Sequence, residues 1–174
     1  YVFTRLEFKG RNIVFILYLS TMMIPITVRL IPSYNLCRNL NMLDTYMGMI
    51  LPQVAWSIPF GTFLMRQFYM GIPKQLDEAA KIDGANHFQI FWKILLPNTK
   101  SSMATLGIYT FISAWNNLIW MLLSVRSESK WTVTLGISSI CGASVIKQPT
   151  WNLIMGVIVI GMIPVLILFF AFQK

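Results

Sequence analysis

Three of the chain's six acidic residues, Asp77, Glu78 and Asp83, fall within the stretch DEAAKIDGANHFQIFWKILLPNTK, residues 77–100. They flank Ala79 and Ala80 and lead directly into Gly84. Carboxylates gathered on a small-sided segment suit recognition by charge and docking into a groove on a soluble partner. Nothing beside them completes a catalytic set. His87, the one histidine, lies next to Gly84 and Asn86 and reads as a loop residue rather than a ligand or base. Cys37 and Cys141 lack metal-ligand spacing and read as free thiols. No GxxxxGK[ST] phosphate-binding loop occurs. The residues predict a chain that is not an enzyme and has no catalytic, cofactor-binding or metal site.

Local signals predict how the acidic stretch is held. Pro73 suits the first turn of a helix, where a missing N–H costs nothing. Asp77 and Glu78 complement the positive end of that helix. Gly84 can take the left-handed conformation that ends it. Asn86 is then a good N-cap, with Gln89 placed as its capping-box partner. Phe88, Phe91, Trp92 and Leu95 recur at helical spacing, predicting one apolar face, and Pro97 stops the run. The expectation is a helix–turn–helix across 71–100 with an exposed, charged elbow. A helix lying flat on the membrane is the competing reading. An acidic cluster fits it poorly, because the inner leaflet is itself negative.

The surroundings are apolar. The chain is 56% hydrophobic and 11% charged, against about 25% charged in soluble domains. That composition predicts an all-α integral membrane protein in contact with the lipid bilayer. The net charge of +8 would suggest nucleic acid in a soluble protein. Here the basic residues flank apolar runs and read as facing headgroups and cytoplasm, so no nucleic-acid partner is expected. A span takes about 20 apolar residues, and four runs qualify: 12–32, 46–70, 101–125 and 151–172. Connections are expected at 33–45, 71–100 and 126–150.

Orientation follows the excess of Lys and Arg on the cytoplasmic side. Arg5, Lys9 and Arg11 precede the first run, and Arg66, Lys74, Lys81, Lys93 and Lys100 flank or lie within 71–100. The other side holds Arg38, Arg126, Lys130 and Lys147, with Arg29 near that end of its span. Both ends of the chain and residues 71–100 are therefore expected in the cytoplasm. The chain opens at Tyr1 without an initiator Met and stops in an apolar run, so it reads as a piece of a longer protein.

Polar groups inside spans are costly and often functional. Gln53, Ser113, Asn116 and Asn117 are the candidates, with Trp115, Trp120 or Tyr109 as aromatic faces on which a solute ring could stack. They could line a solute pathway. The alternative is hydrogen bonding between helices.

EAAKIDGAN followed by ILLP resembles the EAA loop in membrane permeases of binding-protein-dependent ABC importers. The matching positions are Glu78, Ala79, Ala80, Gly84, Ile94, Leu96 and Pro97. YVFTRLEFKGRN, MMIPITVRLIPSYNL and FISAWNNLIW are similar to further segments of the carbohydrate-uptake subfamily, specifically the second permease of maltose-type importers. Asn117, Gln75 and Arg29 depart from its pattern. The resemblance implies a polytopic type I importer-permease core in a bacterial inner membrane, with four of six spans present as a single permease domain over 1–174. It implies a second, similar but distinct permease, two cytoplasmic ATP-binding subunits and an extracellular solute-binding protein. Glu78, Ala79, Ala80, Asp83, Gly84 and Pro97 would belong to the ATPase-coupling loop. Two rivals are a passive scaffold or channel subunit and a secondary transporter. No acidic residue lies mid-span, which counts against proton coupling.

Overall fold

In lipid, backbone polar groups must be satisfied internally, and a helix does this within one segment. The computed structural model describes residues 1–146 and 151–172, and every regular element among the described residues is helical. In chain order these are α1 (Val2–Arg5), α2 (Arg11–Ser20), α3 (Ile26–Asn39), α4 (Tyr46–Met70), α5 (Gln75–Ile82) and α6 (His87–Ile90). A π-helical turn (Phe91–Leu95) leads to α7 (Leu96–Asn98), α8 (Lys100–Trp115), α9 (Leu118–Ser124), α10 (Val133–Ile146) and α11 (Trp151–Phe172). Lys147, assigned above to the outer side, and Lys174 lie outside the described residues.

Two helices, Tyr46–Met70 and Trp151–Ala171, are long and apolar enough to cross a membrane. Counting each of two broken pairs as a single span gives up to four. The first break falls inside 12–32, which was expected to be one helix. A short 3-10 turn, Thr21–Met23, ends the α2 segment, and α3 starts at Ile26. Pro25 is the cause: Ile24 before it is extended at ψ 118° and Pro25 itself sits at ψ 142°. The α3 helix then runs to Asn39, so residues 33–39 are helix rather than connection. The second break is at Asn116–Asn117, where α8 and α9 are bent by 54°. The Asn117 side chain caps α9 by accepting the Trp120 N–H at 3.3 Å. Residues 126–150, expected as a connection, contain α10.

The chain forms two compact units. One comprises Tyr1–Ile24 and Trp56–Gly107. Its core is Tyr69, Ala80, Ile90 and Leu95, with Tyr1, Met65, Ile72, Phe91 and Ile94 packed around them. Arg66 lies over the Phe15 ring at 4.3 Å and donates to Phe3 O at 3.3 Å, tying α1 and α2 to α4.

The other unit comprises Pro25–Ala55 and Ile108–Lys174. Its centre is Trp120, fully buried, whose Nε1–H donates to Gly48 O at 3.1 Å. Gly48 is tightly enclosed here, since a Cβ would lie 2.0 Å from Met42 O. The 40–45 connection turns through Asn41 and Asp44, both at positive φ, which Asn and Asp tolerate. The Asp44 carboxylate accepts the N–H groups of Arg126 and Ser127, each at 3.0 Å, and the Ser127 hydroxyl. Lys130 Nζ stands 3.5 Å from the same carboxylate.

Candidate functional site

Helix α5 starts at Gln75, just after Pro73, and carries Asp77 and Glu78 in its first turn. The two acids face opposite ways. Asp77 is buried, whereas Glu78 is exposed. Ala80 goes into the core and Ala79 stays outside. The helix ends in a Schellman arrangement. Ala85 N–H bonds Ala80 O at 2.9 Å and Gly84 N–H bonds Lys81 O at 3.0 Å. Gly84 sits at φ +80°, the conformation that Gly alone takes without strain, with open space around it. Asn86 and Gln89 then form the reciprocal capping box, at 2.8 and 2.9 Å.

The elbow between α5 and α6 is a solvent-facing knob. Ile82 is 87% exposed and Phe88 70% exposed. Asp83, Gly84 and Glu78 are exposed with them. The expected apolar face needs correction, because Phe88 and Trp92 point outward while Ile90 and Leu95 are wholly buried. The π-helical turn is the reason. Its i→i+5 bonding brings residues five apart, Ile90 and Leu95, onto one side. Pro97 does not end the run, since α7 continues to Asn98 and the break comes at Thr99. Asn98 Nδ2 donates to Ile94 O at 2.7 Å, and the Thr99 hydroxyl to Leu95 O at 3.1 Å, satisfying carbonyls near the proline.

A partner for Asp77 comes from the start of the chain. Arg5 Nε lies 2.8 Å from Asp77 Oδ2, with both side chains at most a tenth exposed. Arg5 Nη2 also donates to Ile72 O at 2.8 Å. Tyr1 Oη and His87 Nδ1 share a hydrogen bond of 2.9 Å, and the Tyr1 ring meets Phe91 edge-on at 5.8 Å. Burial, and then the Asp77 charge, push the Tyr1 phenol up. A groove of about 660 Å³ opens beside the pair, lined by residues including Glu7, Lys74, Glu78 and Lys81. Sequence reading counted Arg5 only as a basic flank. One signal was present: Asp77 and Ala80 share a helix face, and a carboxylate on a buried face demands a cation.

The candidate pathway residues divide. Gln53 and Asn117 meet: Asn117 Nδ2 donates to Gln53 Oε1 at 3.0 Å, and Gln53 Nε2 donates to Met49 O at 2.9 Å. With the Asn117 cap on α9, these two side chains form a brace between helices. Trp115 is half-buried and stacks on Phe111, at 5.5 Å between centroids. Ser113 and Asn116 are exposed, and Asn116 Nδ2 bonds back to Ile112 O at 3.0 Å. The structure does not gather these five into one polar cluster. Cys37 and Cys141 are unpaired thiols on α3 and α10 rather than in loops. No group of His, Cys, Asp or Glu among the described residues is placed to hold a metal.

The chain is similar to known proteins. The family described as "Binding-protein-dependent transport system inner membrane component" matches residues 2–174. The sn-glycerol-3-phosphate transport system permease protein UgpE of Yersinia enterocolitica is 41% identical over 165 residues, covering 94% of this chain and 57% of that protein. The arabinooligosaccharides transport system permease protein AraQ of Bacillus subtilis is 34% identical over 168 residues, covering 97% of this chain and 58% of that protein. A crystal structure of a bacterial ABC transporter involved in the import of the acidic polysaccharide alginate contains a similar chain. It superposes with a TM-score of 0.79 at 27% identity, covering 99% of this chain and 64% of that one. The chain thus spans less than two thirds of the length of each of these relatives.

Proposed function

The chain belongs to the family of binding-protein-dependent transport system inner membrane components, and on that premise we propose that it is a permease subunit of an ATP-driven importer. It forms part of the pathway for a sugar or related solute. A second permease completes the pathway, two cytoplasmic ATP-binding subunits power it and hydrolyse the ATP, and an external binding protein delivers the solute. The loop 71–100 is the element that couples this chain to an ATPase. The carrying observation is the elbow: Glu78, Ala79, Ile82, Asp83 and Gly84 stand exposed on a base whose other face, Asp77 and Ala80, is buried. Such a knob fits a cleft, with Glu78 and Asp83 as charges for basic groups there and Ile82 as the apolar contact.

The Arg5–Asp77 contact supports one further point, that the start of the chain and the 71–100 loop share a side of the membrane. The excess of basic residues on these segments assigns that side to the cytoplasm. The relatives favour neither a passive channel subunit nor a secondary transporter. Among the pathway candidates, Ser113 and Asn116 are the side chains that remain available to a solute, because Gln53 and Asn117 are engaged with each other.

The test uses the full-length gene in its own host. Tagged wild type and a Gly84→Arg, Glu78→Lys variant are purified in mild detergent, and co-purifying proteins are identified. The expected result is an ATPase subunit and a second permease with the wild type, and loss of the ATPase alone from a folded variant. A folded wild type that carries no ATPase contradicts the proposal.

A further inference from the structure

The α5 helix has eight residues, and its base contributes a single small side chain, Ala80, to the core. Helices this short have little stability of their own. Between it and α4 lies a three-residue hinge, Gly71–Ile72–Pro73, then Lys74. The Arg5 guanidinium reaches from this hinge to α5. One nitrogen bonds Ile72 O in the hinge, and another meets Asp77 in the first turn of α5, both at 2.8 Å. The short α1 helix that carries Arg5 is anchored elsewhere as well. Arg66 of α4 donates to Phe3 O, and Tyr1 binds His87 at the start of α6.

We infer that residues 1–5 are a strut that makes the 71–100 loop one rigid body with the end of α4, and that Arg5 is a positioning residue for coupling. This rests on the reading of the loop as the ATPase contact. Two physical points carry it. A buried ion pair is a poor source of net stability, and an apolar pair of similar volume often does as well. What the guanidinium supplies instead is placement: one nitrogen donates to the hinge carbonyl of Ile72, and Nε holds the Asp77 carboxylate of α5 by charge, without a hydrogen bond. Asp77 Oδ1 and Arg5 Nε are both buried without a hydrogen-bond partner, and among the described residues Arg5 is the cation within ion-pair distance of Asp77. Force delivered at the elbow then passes to α4 rather than being absorbed by bending at Gly71–Pro73.

Two variants separate placement from stability. Arg5→Lys keeps the charge and loses the fork. Arg5→Met with Asp77→Leu keeps the packing and loses both. The first measurement is amide hydrogen exchange across residues 75–82 in the purified permease without its ATPase. Both variants are expected to exchange there roughly tenfold faster than wild type, with α11 unchanged. The second is solute transport per ATP hydrolysed by the complete importer in proteoliposomes. The ATPase subunits are expected to remain bound while transport per ATP falls by roughly tenfold. Wild-type exchange at 75–82 in both variants overturns the strut, as does a wild-type transport ratio. If the wild type binds no ATPase, the coupling reading fails, and the exchange measurement still decides whether the strut exists.

Discussion

Two charge contacts each tie together segments distant in sequence, and they are built in opposite ways. Arg5 and Asp77 meet with almost no exposure, and both Arg5 Nε and one carboxylate oxygen are left without a hydrogen bond. Asp44 is about a quarter exposed, yet its carboxylate collects two backbone N–H groups and a hydroxyl, with Lys130 nearby. The first contact gives placement at a high cost of failure. The second is a surface staple with two backbone N–H donors, the Ser127 hydroxyl and a nearby ammonium. The proposed coupling role of the 71–100 loop would suit the first design, and a loop that only stays closed would suit the second.

The sharpest way to break the comparison is to remove one partner. Arg5→Ala leaves a buried, uncompensated carboxylate and is expected to cost about 3–5 kcal/mol. Thermal unfolding of the detergent-solubilised protein checks this, and adding Asp77→Leu should recover most of the loss. Next in size is Gly48→Ala, which drives a Cβ into the Met42 carbonyl and is expected to cost about 1–3 kcal/mol. Gly84→Ala is a useful contrast, because the space is open and only the positive φ resists, at about 1–2 kcal/mol. Smaller again is the Gln53–Asn117 brace. Asn117→Ala and Gln53→Ala should show a coupling of about 0.6–1.7 kcal/mol in a double-mutant cycle.

The last effect belongs to Asp44 and is visible through pH. The Ser127 hydroxyl first, then the Ser127 and Arg126 N–H groups, hold its carboxyl well below the usual carboxylate range. A depressed folded pKa means that the stabilisation is fully present above the unfolded value, about 3.9, and is lost as pH falls through the lower folded value. The unfolding temperature should therefore carry an acid-sensitive component from this site that Asp44→Asn removes, measured as unfolding midpoints from pH 7 down to strongly acidic buffer.

What the sequence made legible was local. Gly84 and the Asn86–Gln89 box depend on residues a few positions apart, and their types alone predict the turn that the structure contains. The breaks at Pro25 and at Asn116–Asn117 lie within runs whose composition still reads as a span, so window-based reading merged each into one helix. Helix α10 was missed because Gly136, Gly142 and a scatter of Ser and Thr mimic a loop. The face of α6 was misjudged because a 3.6-residue period cannot anticipate the π-helical turn that buries Ile90 with Leu95. The Arg5–Asp77 pair joins the start of the chain to α5, and no spacing rule reaches that far. Of the candidate site, the elbow was legible and the support beneath it was not.

The central claim is that the elbow occupies a cleft on an ATPase. It is tested most directly by placing a single cysteine at the most exposed position of the elbow, Ile82→Cys, with Cys37 and Cys141 replaced by alanine. Labelling with a water-soluble maleimide is then compared in membranes with and without the ATPase subunits. The account predicts rapid labelling without the ATPase and strong protection with it. Equal labelling in both membranes would contradict it.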